Sequence, residues 1–538
     1  MGRGVKMNRE QSIESLKTDS FDILVIGGGA TGTGIALDAA SRGYKTALVE
    51  ADDFASGTSS RSTKLIHGGV RYLEAAVKHF DRSQFNLVRD ALAERAIFLK
   101  IAPHLSNPLP LVTPLYNWLE VPYFMTGLKL YDWLAGKANL APSKFVDAKE
   151  ALHKFPMLEP KGLRGAVIYY DGQFDDARMN VSIAKTADEE GAKVANHVKV
   201  IALEKENGKV VGVKLADELS SESWISKAKV VINATGPFTD NIRKLDDPDC
   251  NTMVTTSSGV HIVLDKEFSP PNTGLLIPET EDGRVLFLLP WQGQTIVGTT
   301  DNPAKVTTNP EATEKEIEYI LRHVDKYFSV PVERKDVKAA WSGLRPLVSD
   351  PSAADTAELS RDHIINISDS GLLTIAGGKW TTYRKMAEDA VDQAEKLAQF
   401  KHVESETDKL PIAGGKGFSS SGTGYLQEHY GLELDIANHL NHSYGDRATD
   451  VADIAKNGWS AKLSEKYPYL EAEVIYGIRQ ESARTSRDTL CRRTRLAFID
   501  SAEALKALPR VNEIMASELA WSPEQAAKDL ESSREYLK

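Results

Sequence analysis

The chain has 538 residues, 41% of them hydrophobic and 26% charged, which is too long for one ordinary core and too apolar for a disordered or fibrous class. Its formal net charge of -11 excludes broad electrostatic capture of nucleic acid, so any anionic ligand has to be held by a local cluster of Arg and Lys. Cys250 and Cys491 are its only cysteines, which excludes a disulfide framework and a four-cysteine zinc site; no metal site is expected.

Residues 1–20 mix Arg3, Lys6, Arg9 and Lys17 with Glu10, Glu14 and Asp19. Transit peptides are poor in acids and secretory signals need an apolar run, so this segment reads as a flexible or loosely helical tail with no targeting signal. Residues 21–50 follow as a βαβ unit. Ile23 to Ile26 form a short apolar run ending in glycines, a helical stretch runs to Arg42 and Gly43, and Thr46 to Val49 make a second strand that ends on Glu50. Gly27, Gly29 and Gly32 stand as GxGxxG between the first strand and the helix. Glycine permits the tight turn and lets the helix amino end approach a pyrophosphate, while Glu50 is placed to accept hydrogen bonds from ribose hydroxyls.

A Ser/Gly/Thr-rich loop from Ala55 to Thr63 leads into LIHGGVRYLE, and apolar residues Phe85, Val88, Leu92, Ala96 and Leu99 recur at helical spacing over 83–100. Pro103, Pro108, Pro110 and Pro114 then read as a boundary. No apolar run reaches the ~18 residues needed to cross a bilayer. The nearest, residues 114–134, is broken by Glu120, Pro122, Lys129 and Asp132. Its Trp118, Tyr123, Phe124, Tyr131 and Trp133 suit either a membrane interface or an aromatic piece of core.

Val198 to Leu203 and Val210 to Val213 read as a hairpin around Asn207-Gly208, and Val230 to Ile232 as a strand entering NATGPFTD. Residues 250–300 carry strand signals and prolines that read as a mixed or antiparallel sheet. Residues 372–400 read as a strand, a double-glycine turn and a helix whose Tyr383, Met386, Ala390, Val391, Ala394 and Leu397 share a face. KGFSSSGTG at 416–424 reads as a flexible linker, and the remainder as a separate helical domain.

GGGATGTGIALDAA, GTSSRSTKLIHGGVRYLE, DDARMN, NATGPFTD, FLLPW with GTTD, SGLRPL, SRD and GGKWTTYRK occur in this order between residues 27 and 385. In these motifs the chain resembles the FAD-dependent glycerol-3-phosphate dehydrogenase family, within the group that shares the D-amino-acid oxidase fold. GIRQESARTSRDTLCRRTRLAFID at 477–500 is similar to the mitochondrial branch, although no DxDxDG loop with a closing Glu follows, so calcium control is not expected.

The resemblance implies an α/β fold in which a Rossmann-like FAD-binding domain (21–100, 165–245, 341–400) interleaves with a mixed-sheet substrate domain (101–164, 246–340), followed by helices over 401–538. It implies a noncovalent FAD held by Gly27, Gly29, Ala30, Thr31, Gly32, Glu50, Ser59, Ser60, Lys64, Leu65, His67, Gly68, Val198, Ala234, Gly236, Gly378, Lys379 and Thr381. The implied reaction oxidises sn-glycerol 3-phosphate to dihydroxyacetone phosphate and passes electrons to ubiquinone at a membrane surface, the mitochondrial inner membrane in a eukaryote and the cytoplasmic membrane otherwise. A homodimer is an expected assembly.

Such a reaction needs a phosphate clamp and a base. The matching cations are Arg71, Arg345, Arg361 and Lys379, and a guanidinium suits phosphate because its planar fork donates two parallel bonds. His67 and His261 are the candidate bases. His67 is preferred, because two glycines follow it and the family's proposed base stands at that position; Tyr72 is a candidate to line the substrate pocket. The catalytic set is His67, Arg345 and Lys379, with Arg71, Tyr72, His261 and Arg361 binding substrate. An oxidase of the same fold that uses oxygen, or a flavin-binding module without turnover, remain the alternatives. GGK at Lys379 and Lys416 lacks the first glycine of a Walker A loop, and neither HExxH nor GxSxG occurs.

Overall fold

The computed structural model describes residues 7–69, 82–348 and 363–538. The chain opens on helix α1 (Arg9–Thr18), then strand β1 (Ser20–Ile26), helix α2 (Ala30–Ser41) and strand β2 (Thr46–Val49). Next come β3 (Leu65–Ile66), α3 (Arg82–Ile101), β4 (Ser106–Leu115), α4 (Glu120–Ala135), β5 (Lys144–Asp147), β6 (Gly165–Phe174) and α5 (Asp176–Glu189). Strands β7 (Lys193–Ala195), β8 (Val198–Glu206), β9 (Lys209–Asp217), β10 (Ser223–Asn233), β11 (Val254–Leu264), β12 (Gly274–Ile277), β13 (Leu286–Trp291), β14 (Gln294–Gly298), β15 (Asn302–Pro303), β16 (Ala339–Val348), β17 (His363–Ile367) and β18 (Leu373–Gly377) complete two sheets. Helix α6 (Tyr383–Ala398) follows, and the last helices are α7 (Ser501–Glu518) and α8 (Pro523–Leu537).

The first sheet runs β17-β18-β10-β1-β2-β7, with the β8–β9 hairpin attached through β10. Its central strands β18, β10, β1, β2 and β7 are parallel. Ile23, Leu24, Val25 and Ile26 are buried on both faces, as an uninterrupted apolar run in a covered parallel strand should be. Helices α2, α5 and α6 bury Ile35, Ile183 and Val391 in one core beside this sheet. Asn207 and Gly208 both take positive φ (51° and 77°) between Glu206 and Lys209, as the tight hairpin requires.

The second sheet runs β15-β11-β14-β13-β12-β4-β6-β3, with β16 on β11 and β5 on β6. Two expected boundaries change here. Segments 165–174 and 341–348, assigned by sequence to the dinucleotide domain, lie in β6 and β16 of the second sheet. Residues 106–115, read as a proline boundary, are a strand paired along its length with β6. Pro108, Pro110 and Pro114 occupy alternate positions, so their missing N–H groups fall on one edge of the strand rather than interrupting both.

The amino-terminal segment is also not a loose tail. Leu16 of α1 is fully buried, and the Arg9 guanidinium meets Asp217 Oδ1 at 2.5 Å and donates from Nε to the Asn196 carbonyl at 2.9 Å. On α3 Val88, Leu92, Arg95 and Phe98 are among the buried side chains, whereas Ala96 and Leu99 are only partly buried; on α6, Leu397 is exposed. The 416–424 segment is tied down as well: Gly417 N–H donates to Asp446 at 2.9 Å, and Asn441 donates to the Ser419 carbonyl at 3.0 Å.

The carboxy-terminal helices are joined to the rest by buried ion pairs. Arg178 of α5 donates to both Glu481 oxygens at 2.7 and 2.8 Å, with both side chains 3% exposed. Arg178→Ala would leave the buried Glu481 carboxylate with only the longer Arg493 Nε contact at 3.6 Å, and the expected loss of stability is about 3–5 kcal/mol. Urea unfolding of wild type and variant measures it; a difference below about 1 kcal/mol would show that water compensates Glu481.

Candidate functional site

The glycine turns that end β1, β10 and β18 lie at neighbouring carboxyl ends of parallel strands, the position where open α/β sheets bind ligands. Gly27 has φ 110° and carries no side chain because a Cβ there would meet the Ala234 carbonyl oxygen at 2.6 Å. A Cβ on Gly32 would sit 1.8 Å from the Gly27 oxygen, so the helix can start this close to the strand only with glycine. Both Glu50 oxygens are engaged: Gly28 N–H donates to Oε2 at 2.6 Å and Asp52 N–H to Oε1 at 2.8 Å. Burial pushes the Glu50 carboxyl up to about 7, partly offset by those two amides.

A cavity of about 1380 Å³ runs along these turns. Gly27, Gly29, Ala30, Thr31, Glu50, Ser59, Val198, Ala234, Gly236, Gly378 and Lys379, all among the residues expected to hold FAD, line it. Its volume exceeds the range of about 300–1,000 Å³ usual for drug-sized ligands and suits an extended dinucleotide. The glycine turn, the acid at the end of the second strand and the elongated cavity together fit FAD.

Other expected cofactor residues stand behind this wall rather than on it. The Lys64 ammonium is fully buried, 2.6 Å from Asp176 Oδ2 and 2.9 Å from the Ser60 carbonyl. It also lies 4.5 Å from the Trp341 ring centre. Desolvation lowers its pKa to about 7, against the opposing pull of Asp176. The charge of Lys64, expected among the cofactor residues, is thus taken up by Asp176, a distant partner of which sequence spacing gave no sign. Gly32, Ser60, Leu65, Gly68 and Thr381 likewise shape the loops without lining the cavity.

Residues 58–68 stitch the site together. Thr58 Oγ1 donates to the Leu344 carbonyl at 2.6 Å, and Ala30 N–H donates to Ser59 Oγ at 2.9 Å. Trp380 Nε1 donates to the Ser59 carbonyl at 2.9 Å. Arg61 donates to the Ser342 carbonyl at 2.8 Å, and Thr63 Oγ1 lies 3.0 Å from His261 Nε2. His67 N–H donates to Thr381 Oγ1 at 3.2 Å, and Gly68 N–H to Tyr131 Oη at 2.8 Å. One segment thus joins the dinucleotide turn, the second sheet and the Gly377-Gly378-Lys379 turn.

The two histidines differ in setting. His261 is 2% exposed, stacked on Trp341 at 4.3 Å, and burial holds its ring well below the usual imidazole range. His67 is half-buried, and burial, with Lys379 and Arg95 adding repulsion, lowers it to about 4. At neutral pH it is an uncharged ring able to take a proton.

Arg345 stands opposite Ser257 on the β11–β16 ladder, on the strand next to His261, and its Nη2 donates to Thr299 Oγ1 and the Thr300 carbonyl, both at 3.0 Å. Its Nη1 meets Asp301 at 3.3 Å. The structure therefore forms two neighbourhoods, His67 with Lys379 and His261 with Arg345, bridged by residues 58–68. Neither His67, His261 nor Arg345 lines the large cavity. Arg71, Tyr72 and Arg361 lie outside the described residues.

Sequence reasoning missed a buried network behind His67. Tyr131 of α4 accepts from Gly68 N–H and donates to Asp171 Oδ1 at 2.8 Å, while Arg95 of α3 pairs with the same carboxylate at 2.7 Å. Burial raises Asp171 to about 6, against the opposing pull of Arg95. A lone Arg in a helical pattern gives no signal of such a role.

Comparison with known proteins agrees with this geometry. A family model described as FAD dependent oxidoreductase matches residues 22–384, and one described as the C-terminal domain of alpha-glycerophosphate oxidase matches residues 405–526. The chain is 51% identical over 545 aligned residues to the mitochondrial glycerol-3-phosphate dehydrogenase of Bos taurus, covering 98% of this chain and 75% of that protein. It is 51% identical to the probable mitochondrial glycerol-3-phosphate dehydrogenase of Caenorhabditis elegans, covering 97% of this chain and 74% of that protein. The crystal structure of glycerol-3-phosphate dehydrogenase from Bacillus halodurans complexed with FAD superposes with a TM-score of 0.80 at 32% identity. That alignment covers 99% of this chain and 97% of the other.

Proposed function

The chain belongs to the FAD-dependent glycerol-3-phosphate dehydrogenase family, and on that premise we propose that it oxidises sn-glycerol 3-phosphate to dihydroxyacetone phosphate and passes the electrons to ubiquinone at a membrane surface. The observation that carries this reading is that residues 58–68, which include His67, hydrogen-bond to His261, to Leu344 next to Arg345, and to Trp380 and Thr381 next to Lys379, beside a dinucleotide cleft.

Arg345 and Lys379 supply the positive charge that a phosphate monoester requires, with Arg71 and Arg361 as further cations in the same role. Holding the phosphate fixes the secondary carbinol, and an imidazole nitrogen of His67 takes the hydroxyl proton as hydride leaves the carbon. Bound FAD supplies the hydride acceptor. The low proton affinity of His67 keeps it in the basic form before substrate arrives.

Glu50 gives this reading a pH signature. A carboxylate accepts two ribose hydroxyls better than its protonated form does, and burial pushes the Glu50 carboxyl up to about 7. Deprotonation precedes full binding, so FAD affinity of the apoenzyme is expected to rise as pH increases from about 6 to 8. Glu50→Gln is expected to flatten that rise in a fluorescence titration; a pH dependence retained by the variant would place its origin elsewhere.

The membrane contact is proposed for the outer face of α4 and the turn before it. Trp118 is 58% exposed, Leu119 80% and Trp133 70%, and Tyr123 is half-exposed, whereas Leu128, Tyr131 and Ala135 on the opposite side are buried. Rings that pair an apolar body with a polar tip favour the headgroup level. No described helix is long and apolar enough to cross a membrane. The names of the animal relatives support a mitochondrial setting, and a homodimer belongs to the same proposal.

Stopped-flow reoxidation of the substrate-reduced enzyme tests the acceptor. Rapid reoxidation by a short-chain ubiquinone and slow reaction with oxygen are expected. Fast reaction with oxygen alone would make the protein an oxidase of the same fold.

A further inference from the structure

The carboxy-terminal helices form one wall of the cofactor cleft. The cavity that exposes Gly27, Gly29 and Glu50 is closed on another side by Arg487, Trp521, Lys528 and Tyr536. These residues come from the turn before the Thr489–Arg493 segment and from the region of α8.

The contact is specific to the loop that carries the ribose-binding acid. Asp52 pairs with Arg487. Asp53 accepts from Arg492 Nε and Arg493 Nη1, each at 2.7 Å, with all three side chains buried. On the other side of the cleft, Arg61, next to Ser59 and Ser60, donates to Tyr536 Oη at 2.6 Å. The Arg487 guanidinium lies 4.8 Å from the centre of the same tyrosine ring. Arg487 therefore stands between the Glu50–Asp53 loop and the serine loop, the two segments that flank the ADP half of a dinucleotide. Its Nε is buried and has no hydrogen-bond partner among the described residues.

Charge makes the placement consequential. Glu50, Asp52 and Asp53 gather carboxylates beside a cleft whose ligand brings two phosphate charges of its own. Arg492 and Arg493 are committed to Asp53, whereas Arg487 lines the cleft, as Arg9, Lys199, Lys379, Arg484 and Lys528 also do, where a cation offsets the pyrophosphate. We propose that Arg487 is a cofactor-binding residue, directed at the ADP half of FAD, and that the carboxy-terminal helical domain is thereby part of the FAD site. The proposal rests on FAD binding along the Gly27–Gly32 turn.

The test uses full-length apoenzyme titrated separately with FAD, ADP and lumiflavin. Arg487→Met is expected to raise the dissociation constants of FAD and ADP about tenfold or more, the loss of one charge-assisted hydrogen bond, and to leave lumiflavin binding unchanged. It should also make FAD affinity less sensitive to salt, a readout that a structural role would not move. Arg487→Lys should recover part of the loss, and Arg487→Gln, which keeps a hydrogen-bond donor for Asp52, carries the test if the methionine variant does not fold. FAD and ADP constants within twofold of wild type with unchanged salt dependence, or equal losses for ADP and lumiflavin, would overturn the proposal. Failure of the wild-type apoenzyme to bind FAD would instead sink the cofactor assignment.

Discussion

His67→Ala is expected to slow anaerobic flavin reduction by glycerol 3-phosphate about a hundredfold or more, the usual contribution of a positioned base, while FAD stays bound. The side chain is half-buried and held near the Lys379 turn through its backbone hydrogen bond to Thr381. Removing the ring leaves that backbone contact intact, so the loss should fall on the chemical step rather than on cofactor retention. His261→Ala discriminates the alternative. That ring is 2% exposed and stacked on Trp341, so its removal should destabilise the sheet more than it slows reduction. Fast reduction in the His67 variant together with slow reduction in a folded His261 variant would reverse the assignment.

Arg345→Ala is expected to lower kcat/KM for glycerol 3-phosphate about tenfold to a hundredfold, mainly by raising KM, because a charge-assisted bond to an anion is worth roughly 1.5–3 kcal/mol. The fold should tolerate the change: Asp301, the ionic partner it loses, is 38% exposed and remains solvated. Phosphite or inorganic phosphate should inhibit the wild type and inhibit the variant less. Unchanged kinetics and unchanged phosphate inhibition would remove Arg345 from the clamp.

Local physics made much of the fold legible. The apolar run before Gly27, the helix it feeds and the acid at Glu50 are contiguous in sequence, and their pattern depends on contacts within about 30 residues. The Asn207-Gly208 hairpin is legible for the same reason. What escaped depends on partners far along the chain. Arg9 finds Asp217, Lys64 finds Asp176, and Arg487 finds Asp52, and nothing in the spacing around either member announces the other. The prolines of β4 misled because each is a strand breaker taken singly, whereas their alternate placement is compatible with a strand. The aromatic stretch at 114–134 gave two readings because helical periodicity sends Tyr131 inward to Asp171 and Trp133 outward to solvent.

Anaerobic mixing of the flavin-loaded enzyme with glycerol 3-phosphate, glycerol or lactate, followed at the flavin absorbance band, tests cofactor, substrate and phosphate dependence in one experiment. Glycerol 3-phosphate should bleach the band within seconds, with the other two polar substrates leaving it unchanged over the same time. Equal bleaching by glycerol would show that the cationic neighbourhoods around residues 58–68 do not select a phosphate, and an unchanged spectrum with all three would contradict a dehydrogenase outright.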